Sequence, residues 1–267
     1  MKKIGFIGVG RMGHEMVRHL LDNEYDVTVF DIEEENMEKC SRIGASKAKS
    51  TAELAEVTDC SVIMVNTDEQ VNEVVEGLIE GANKDHIIVI ASTVHPNTCI
   101  ELSKLAKEKN VHVVDAPVVF GLAGAIDGTL MSLVGGGQSI VQTIEPVLQC
   151  YCEKVIHIGE VGNGQVAKTV NNMLHWSFIV ANYEALQLSK EYGIHPAKMR
   201  EVLLECPSSS GTLQRWMSHR LTWPHKDMDT VMTLAKEANL SIPLHERTDD
   251  LIRKMDVNMT HGLIIND

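Results

Sequence analysis

The first 160 residues alternate between short apolar runs rich in β-branched residues and longer segments in which apolar residues recur every three or four positions. This alternation predicts βαβ units around a parallel sheet covered by helices on both faces. The predicted strands are residues 4–8, 26–31, 61–66, 86–91, 111–115, 130–134 and 154–158. The helices predicted between them are residues 12–21, 34–43, 68–78, 96–107 and 139–148.

The pattern changes after Gly164, where the strand signal stops and apolar residues continue at helical spacing to about Tyr192. This segment predicts a long, largely buried helix. Further helices are predicted at residues 196–204, 212–219, 228–238 and 245–255. The sequence therefore predicts an α/β Rossmann domain with a doubly wound parallel sheet at residues 1–160. An all-α domain at residues 161–267 follows, begun by the long interdomain helix, and the chemistry is expected in the cleft between the domains.

A glycine-rich turn, Gly8-x-Gly10-Arg11-Met12-Gly13, ends the first strand and opens the first helix. Gly8 allows the tight turn, Gly10 lets the backbone approach a pyrophosphate, and Gly13 allows close packing of helix against strand. The helix N-terminus then faces the negative phosphates. The turn predicts a dinucleotide site to which Arg11 and Met12 also contribute, although such turns also occur without a nucleotide.

The second predicted strand ends at Asp31, where a carboxylate can accept hydrogen bonds from the adenosine ribose hydroxyls. Glu33, Glu34 and Glu35 follow, and this acidic cluster would repel a 2′-phosphate. The sequence therefore predicts NAD rather than NADP. An alternative interpretation, compatible with the first, makes Asp31 a helix N-cap and the glutamates first-turn residues that complement the helix dipole.

Composition narrows the possible partners. The formal net charge of −13 arises from 37 acidic and 24 basic residues that are scattered along the chain, so a nucleic-acid partner is not expected. The six cysteines form no CxxC pair or zinc-type spacing, which favours reduced thiols in a cytoplasmic protein. No segment approaches the roughly 18 uncharged apolar residues of a membrane span, so no membrane partner is expected either. The 44% hydrophobic content is enough for a sizeable core.

A polar stripe follows one side of the predicted long helix, where Asn171, Asn172 and His175 lie three, four and seven positions after Lys168. A ligand in the cleft is one partner for this stripe. The other interpretation is that Lys168 is solvated while the amides satisfy neighbouring loops. Spacing alone leaves both open.

Five blocks in this order resemble the β-hydroxyacid dehydrogenases, a family that includes 3-hydroxyisobutyrate dehydrogenase, tartronate semialdehyde reductase and succinic semialdehyde reductases. The resemblance covers nearly the whole chain and extends to the 6-phosphogluconate dehydrogenase-like enzymes. The blocks are Gly8-x-Gly10-x-Met12-Gly13, Ala91-Ser92-Thr93, Asp115-Ala116-Pro117-Val118 continuing to Gly124-Ala125-x-x-Gly128-Thr129-Leu130, Gly164-x-x-x-Lys168-x-x-Asn171-Asn172, and Lys226-Asp227.

The resemblance implies that Lys168 is the catalytic acid/base and that Asn172 positions the substrate or the lysine. Oxidation of an alcohol needs a base for the hydroxyl proton, and reduction needs the same group as an acid. A lysine partly buried beside a positively charged nicotinamide has its pKa lowered, which allows both roles. No metal is required. The resemblance also implies cofactor contacts at Asn66, Thr67, Thr93 and Lys226, and substrate contacts at Ser92, Val119, Phe120, Gly121 and Asn171.

One block departs from the family. Val119-Phe120-Gly121 stands where similar members read Ser-Gly-Gly, whose serine hydroxyl and following amide hold the substrate carboxylate. The loss of that donor predicts weaker binding of the usual short hydroxyacids. The resemblance implies an NAD-dependent oxidoreductase that interconverts a small β-hydroxyacid and its semialdehyde or keto form, as a homo-oligomer (dimer or tetramer). The alternatives are a reductase of another carbonyl or an imine, and a non-catalytic NAD-binding sensor.

Overall fold

The computed structural model describes residues 1–265 and contains two compact units, of which the first is Met1–Lys168 and the second begins at Thr169. The strands of the first unit are β1 (Lys3–Ile7), β2 (Asp26–Phe30), β3 (Ser46–Lys47), β4 (Cys60–Ile63), β5 (Ile87–Ile90), β6 (His112–Asp115), β7 (Val118–Val119), β8 (Leu130–Gly135) and β9 (Cys152–Gly159). The helices between them are α1 (Arg11–Asp22), α2 (Glu34–Arg42), α3 (Thr51–Val57), α4 (Asp68–Gly81), α5 (Pro96–Lys107), α6 (Gly121–Asp127) and α7 (Gln138–Leu148).

The strands form one sheet in the order β3-β2-β1-β4-β5-β6-β8-β7, and β9 pairs with β8. Pairing is parallel from β3 to β6, and β8 runs antiparallel to β6 and β7 but parallel to β9. The strand order reverses between β1 and β4, which makes this point the topological switch where nucleotides bind in such folds. The prediction of a doubly wound, mainly parallel sheet is confirmed.

Both faces of the sheet are buried, as the apolar strands predict. In β5, Ile87 and Val89 belong to one hydrophobic cluster, while Ile88 and Ile90 belong to the other. Neighbouring residues of a strand point to opposite faces, so an uninterrupted apolar run serves two helix layers at once. This packing holds the carboxyl ends of the central strands in fixed register.

The second unit is all-helical in the residues that the structure describes. Its helices are α8 (Asn163–Glu191), which starts in the first unit, α9 (Pro196–Glu205), α10 (Gly211–Gln214), α11 (Pro224–Glu237), α12 (Pro243–Ile252) and α13 (Val257–Ile265). Its core surrounds Trp176 and Trp216, and the indole Nε1 of Trp216 donates to the Thr260 carbonyl at 3.1 Å. The helix predicted at residues 212–219 is confined to α10, so that prediction is wrong beyond Gln214.

The long helix is present, but the prediction that it is largely buried is wrong. One face carries Trp176 and Ile179 into the core of the second unit. Val170, Leu174 and Phe178, at spacings of four residues, are exposed instead. The apolar residues on α8 therefore form two stripes, and the described residues of this chain bury only one of them.

Candidate functional site

The carboxyl ends of β1, β4, β5 and β6 lie side by side at one edge of the sheet, because these strands are parallel neighbours in register. The loops that leave this edge carry the glycine-rich turn, Asn66, Thr67, Ser92 and Thr93. Ligands of doubly wound sheets bind outside this edge. The fold of the first unit therefore brings most of the predicted cofactor residues to one edge.

The glycine-rich turn has a different structural requirement at each glycine. Gly8 has a φ of +84°, and a Cβ atom there would collide with the Met64 carbonyl oxygen. A Cβ at Gly13 would collide with the Gly8 carbonyl oxygen, so helix and strand pack too closely for any side chain. Gly10 has neither constraint, since no atom lies within 4 Å of its Cβ position.

The open space at Gly10 fits a dinucleotide. Its φ of −63° and ψ of −156° are accessible to other residues, and the fold itself leaves room for a side chain there. The glycine is explained by a ligand that needs the backbone to approach closely, at the N-terminus of α1 where unpaired N–H groups favour phosphate. The residues present therefore fit the pyrophosphate of NAD.

Asp31 ties this turn to the next loop. Its Oδ2 accepts a hydrogen bond from the Val9 N–H at 2.8 Å, and its Oδ1 accepts one from the Glu33 N–H at 2.9 Å. The alternative interpretation of Asp31 as a helix N-cap is wrong, because the N-cap of α2 is Glu33; Glu34 and Glu35 do lie in the first turn. Its Oδ1 also accepts from the Asn36 side chain at 3.4 Å, and because a carboxylate has about four acceptor positions, Asp31 can still accept from a ribose hydroxyl.

The loop after β4 is stiffened by a capping box. Thr67 is the N-cap of α4 and its hydroxyl accepts from the Gln70 N–H, while the Gln70 side chain accepts from the Thr67 and Asn66 N–H groups. Such reciprocal bonds satisfy the first amides of a helix. Asn66 and Thr67 thus lie on a loop with little freedom beside the glycine-rich turn.

Ser92 joins the loop after β5 to the loop after β4. The side chain is buried, and its Oγ accepts from the Val65 N–H at 2.8 Å. The hydroxyl that the resemblance places at the substrate therefore also has a role within the fold. Thr93, the next residue, is half-buried.

The start of α8 is anchored on the carboxyl end of β6 by Asp115. Its Oδ1 accepts from the Gly162 N–H at 2.7 Å and its Oδ2 from the Gln165 N–H at 2.8 Å. Burial raises the pKa of Asp115 to about 6, although these backbone donors act in the opposite direction. Gln165, wholly buried, bonds the loop after β5 with both ends of its amide. Neither Asp115 nor Gln165 was among the predicted site residues.

The candidate acid/base, Lys168, lies on α8 three residues after Gln165 and is half-buried. Further along the helix, Asn172 is buried and accepts a 3.2 Å hydrogen bond from the exposed Asn171. His175 pairs through Nδ1 with the Thr212 hydroxyl at 3.0 Å, so its place in the polar stripe is explained by a neighbour within the second unit.

Lys226 is half-buried in the first turn of α11. The carboxylate of the neighbouring Asp227 accepts a 3.0 Å hydrogen bond from the Trp176 indole, which holds the start of α11 against α8. Within the second unit, the two helices that carry Asn172 and Lys226 are therefore fixed relative to each other.

The loop that departs from the family pattern has an unusual backbone. Val119 ends β7 with its side chain buried, and Gly121 opens α6 with a φ of +57°. Phe120 between them has a φ of +83° and a side chain that is 43% exposed. β6 and β7 both run antiparallel to β8, so the chain keeps its direction from β6 into β7. Phe120, which follows β7, therefore lies beyond the carboxyl end of β6, at the same edge of the sheet as the glycine-rich turn.

Two classes of site are not found among residues 1–265. No cluster of three or more histidine, cysteine or acidic side chains there could hold a metal ion. None of the helices in that range is long and apolar enough to cross a membrane.

The sheet order and the glycine-rich turn are those of a dinucleotide-binding fold, and comparison with known proteins identifies the family. Residues 3–159 match the model for the NAD binding domain of 6-phosphogluconate dehydrogenase. Residues 162–263 match the model for the NAD-binding domain of NADP-dependent 3-hydroxyisobutyrate dehydrogenase. The chain belongs to the β-hydroxyacid dehydrogenase family, which includes dehydrogenases of the 3-hydroxyisobutyrate dehydrogenase type.

Relatives agree with this assignment, and a solved structure agrees with the fold. The chain is 33% identical over 201 residues to a probable mitochondrial 3-hydroxyisobutyrate dehydrogenase of Dictyostelium discoideum, covering 74% of this chain and 63% of that protein. It is 30% identical over 256 residues to 2-(hydroxymethyl)glutarate dehydrogenase of Eubacterium barkeri, covering 91% and 85%. The fold matches that of Mycobacterium tuberculosis 3-hydroxyisobutyrate dehydrogenase with a TM-score of 0.92 at 24% identity, covering 98% and 99%. The predictions of the family and of NAD as cofactor are confirmed.

Proposed function

We propose that this chain is an NAD-dependent oxidoreductase that interconverts a small β-hydroxyacid and its semialdehyde or keto form, with Lys168 as acid/base. The observation that carries the proposal is the anchored start of α8. Asp115 and Gln165 hold this helix to the loops at the nucleotide edge of the sheet. Lys168 follows within one turn, and an amine placed there fits the proton transfer that alcohol oxidation requires.

The proposed oxidation removes a hydride and a proton from the alcohol. NAD⁺, held by the glycine-rich turn and Asp31, would supply the acceptor for the hydride of the carbon that bears the hydroxyl group. The Lys168 amine takes the hydroxyl proton, so that the alcohol becomes a carbonyl without a free alkoxide forming in water. In the reverse direction the Lys168 ammonium donates that proton to the carbonyl oxygen. Asn172, buried on the next turn of α8, is proposed to hold the substrate or the lysine.

A screen tests this function. Purified protein is incubated with NAD⁺ or NADP⁺ and a panel of β-hydroxyacids and diols, or with NADH or NADPH and the matching semialdehydes, and the absorbance of reduced nicotinamide is followed. The proposal predicts turnover of at least one acid or semialdehyde. Quenching of NADH fluorescence by the protein without turnover of any compound would favour the sensor alternative.

NAD is the proposed preferred cofactor, because the carboxylate of Asp31, which follows β2, would face the 2′-phosphate of NADP at the adenosine ribose. Its carboxylate already bonds Val9 in the glycine-rich turn and cannot move away without releasing that turn. Phosphate and carboxylate would then repel each other at short range.

We expect Asp31→Ser to narrow the preference for NAD over NADP. A hydrogen bond to a charged group contributes about 1.5–3 kcal/mol, so kcat/KM of the wild type should favour NAD roughly tenfold or more. The variant is compared with Asp26→Ser, which changes an exposed carboxylate at the start of the same strand. Equal kcat/KM for both cofactors in the wild-type protein would refute the role of Asp31.

The loop at Phe120 supports a substrate other than the shortest hydroxyacids. A bulky residue at a positive φ costs about 1–2 kcal/mol relative to glycine, and such strain persists mainly where function requires it. The exposed ring occupies the position where the family has a glycine whose amide meets the substrate carboxylate. We infer that the ring restricts short acids and contacts a longer or more apolar substrate.

Val119→Ser combined with Phe120→Gly is expected to raise kcat/KM for 3-hydroxyisobutyrate about tenfold, because a donor to the carboxylate is restored. Phe120→Gly alone should increase the free energy of unfolding by about 1 kcal/mol through relief of the positive φ, and this is measured by urea titration. Micromolar binding of 3-hydroxyisobutyrate by the wild-type protein would contradict the inference about the substrate.

We also propose that the protein is a homo-oligomer, either a dimer or a tetramer, and that it is located in the cytoplasm. The exposed stripe Val170, Leu174 and Phe178 on α8 supports an interface with a second copy, since a monomer gains nothing from exposing it. All six cysteines are free thiols, which supports a reducing compartment. Light scattering should give the mass of an oligomer for the wild-type protein and the mass of a monomer for Leu174→Glu. A monomeric wild-type protein would contradict the proposed oligomeric state.

A further inference from the structure

The Gln165 side chain is wholly buried, and both the oxygen and the nitrogen of its amide form hydrogen bonds. Its Oε1 accepts a hydrogen bond from the Val94 N–H at 3.1 Å, and its Nε2 donates to the Ser92 carbonyl at 2.8 Å. These partners decide which amide atom is Oε1 and which is Nε2, because a backbone N–H needs an acceptor and a backbone carbonyl needs a donor. The first turn of α8 is thereby locked to the backbone on both sides of Thr93.

A second lock acts on the backbone of the same turn. Asp115 accepts from the N–H groups of Gly162 and Gln165, at 2.7 and 2.8 Å. The fit is tight, since a Cβ at Gly135 would lie 2.5 Å from Oδ1 of Asp115 and one at Gly164 would lie 2.8 Å from Oδ2. Helix α8 therefore cannot slide or turn about its axis without breaking bonds to a buried carboxylate.

Lys168 takes its position from these locks. Residues three apart on a helix are neighbours on the same side, one turn along, so the rotation fixed at Gln165 is also the rotation at Lys168. The same Gln165 amide fixes Ser92 and Val94, which flank the residue proposed to lie at the nicotinamide ribose. One side chain therefore ties the proposed acid/base to the proposed nicotinamide loop.

We propose that Gln165, with Asp115 as its backbone anchor, is a positioning residue that sets Lys168 at its working distance from the nicotinamide. This inference rests on the proposed function. Gln165 has no role in the proposed proton transfer itself. A misplacement of about 1 Å can cost about 10²-fold in rate, so a lost amide bond should affect the chemical step more than cofactor binding.

The test uses two variants of Gln165. Gln165→Glu keeps the size and the acceptor for Val94 but sets a carboxylate against the Ser92 carbonyl. Gln165→Met keeps the volume and burial without adding a charge and removes both bonds, which keeps the test decisive if the glutamate variant does not fold. The probes are NADH for affinity, and the panel compound with the highest wild-type turnover, used with NAD⁺, for kcat and for the primary deuterium isotope effect when that compound is deuterated at the carbon that bears the hydroxyl group.

In folded variants we expect kcat about 10- to 100-fold lower, a larger isotope effect on kcat, and nearly unchanged NADH affinity. The control is Asp59→Asn. Asp59 also accepts two backbone hydrogen bonds, from Lys2 and Lys3, but before β4 at the opposite edge of the sheet. It should lower the free energy of unfolding and leave kcat and the isotope effect as in the wild type.

The experiment distinguishes a failure of the positioning role of Gln165 from a failure of the proposed function. Wild-type kcat and isotope effect in a folded Gln165 variant would overturn the positioning role, and so would a loss of NADH affinity that parallels the loss of kcat. If Lys168→Ala abolishes turnover while Gln165→Met does not, only the positioning role fails. Absence of turnover by the wild-type protein on the whole panel overturns the proposed function and this inference together.

Discussion

Lys168→Ala should lower kcat by about 10²- to 10⁴-fold, the usual contribution of a positioned acid or base. NADH affinity should stay nearly unchanged, because the glycine-rich turn and Asp31 lie on other loops and their bonds do not involve Lys168. Steady-state kinetics on the best compound of the panel and titration of NADH fluorescence measure the two quantities separately.

Lys190→Ala is the matched control, because Lys190 is exposed in the last turn of the same helix. It removes the same charge from α8 and should leave kcat unchanged. A Lys168→Ala variant that kept most of its turnover would show that another group transfers the proton, and Asn172 would be the next residue to replace.

Gly10→Ala should weaken NADH binding about tenfold or more while leaving the fold intact. The added methyl group enters open space in the protein, since no atom lies within 4 Å of the Cβ position. The same methyl group would push the pyrophosphate away from the N-terminus of α1, and each charged hydrogen bond lost costs about 1.5–3 kcal/mol. Fluorescence titration with NADH measures the effect.

Gly137→Ala is the control for this variant. Gly137 is also a helix N-cap with a negative φ and no atom within 4 Å of its Cβ position, but it precedes α7. Both substitutions should lower stability by a similar small amount, because alanine is a poorer N-cap than glycine. NADH affinity should fall only in Gly10→Ala; equal affinity in the two variants would place the pyrophosphate elsewhere.

The longer strands and helices of the first unit could be predicted because their burial imposes a period on the sequence. β4 and β5 are buried on both faces and read as uninterrupted apolar runs. β3 and β7, with two residues each, are too short to show any period. Helix α3 was missed for the same reason, although Ser50 and Glu53 form the start signal of its N-cap, where the Ser50 hydroxyl accepts from the Glu53 N–H.

The cofactor turn could be predicted because each of its glycines has its own structural cause, and together they form a recognisable spacing in the sequence. The hydrogen bonds that anchor α8 could not be predicted in this way. Gln165 bonds residues 71 and 73 positions away in the chain, and Asp115 bonds an amide 50 positions away. Long-range bonds of this kind leave no periodic signal in a single sequence. The available sign was a glutamine one turn before Lys168, followed by the apolar Val166 and Ala167.

The sequence alone could also not predict that one apolar stripe of α8 is exposed. Apolar residues at helical spacing predict that a helix packs against something, but the pattern does not say whether the partner is this chain or another copy. Val170, Leu174 and Phe178 fit the pattern as well as Trp176 and Ile179 do, yet only the second pair enters the core of this unit.

Transfer of deuterium from NADH to a β-semialdehyde would demonstrate the proposed reaction itself. NADH carrying deuterium at both C4 positions is mixed with the protein and a panel of β-semialdehydes, and the product is analysed by mass spectrometry and NMR. We expect a β-hydroxyacid with deuterium on the carbon that bears the new hydroxyl, formed by the wild-type protein and about 10²- to 10⁴-fold more slowly by Lys168→Ala. Binding of NADH with no deuterated product from any member of the panel would contradict the proposed reaction.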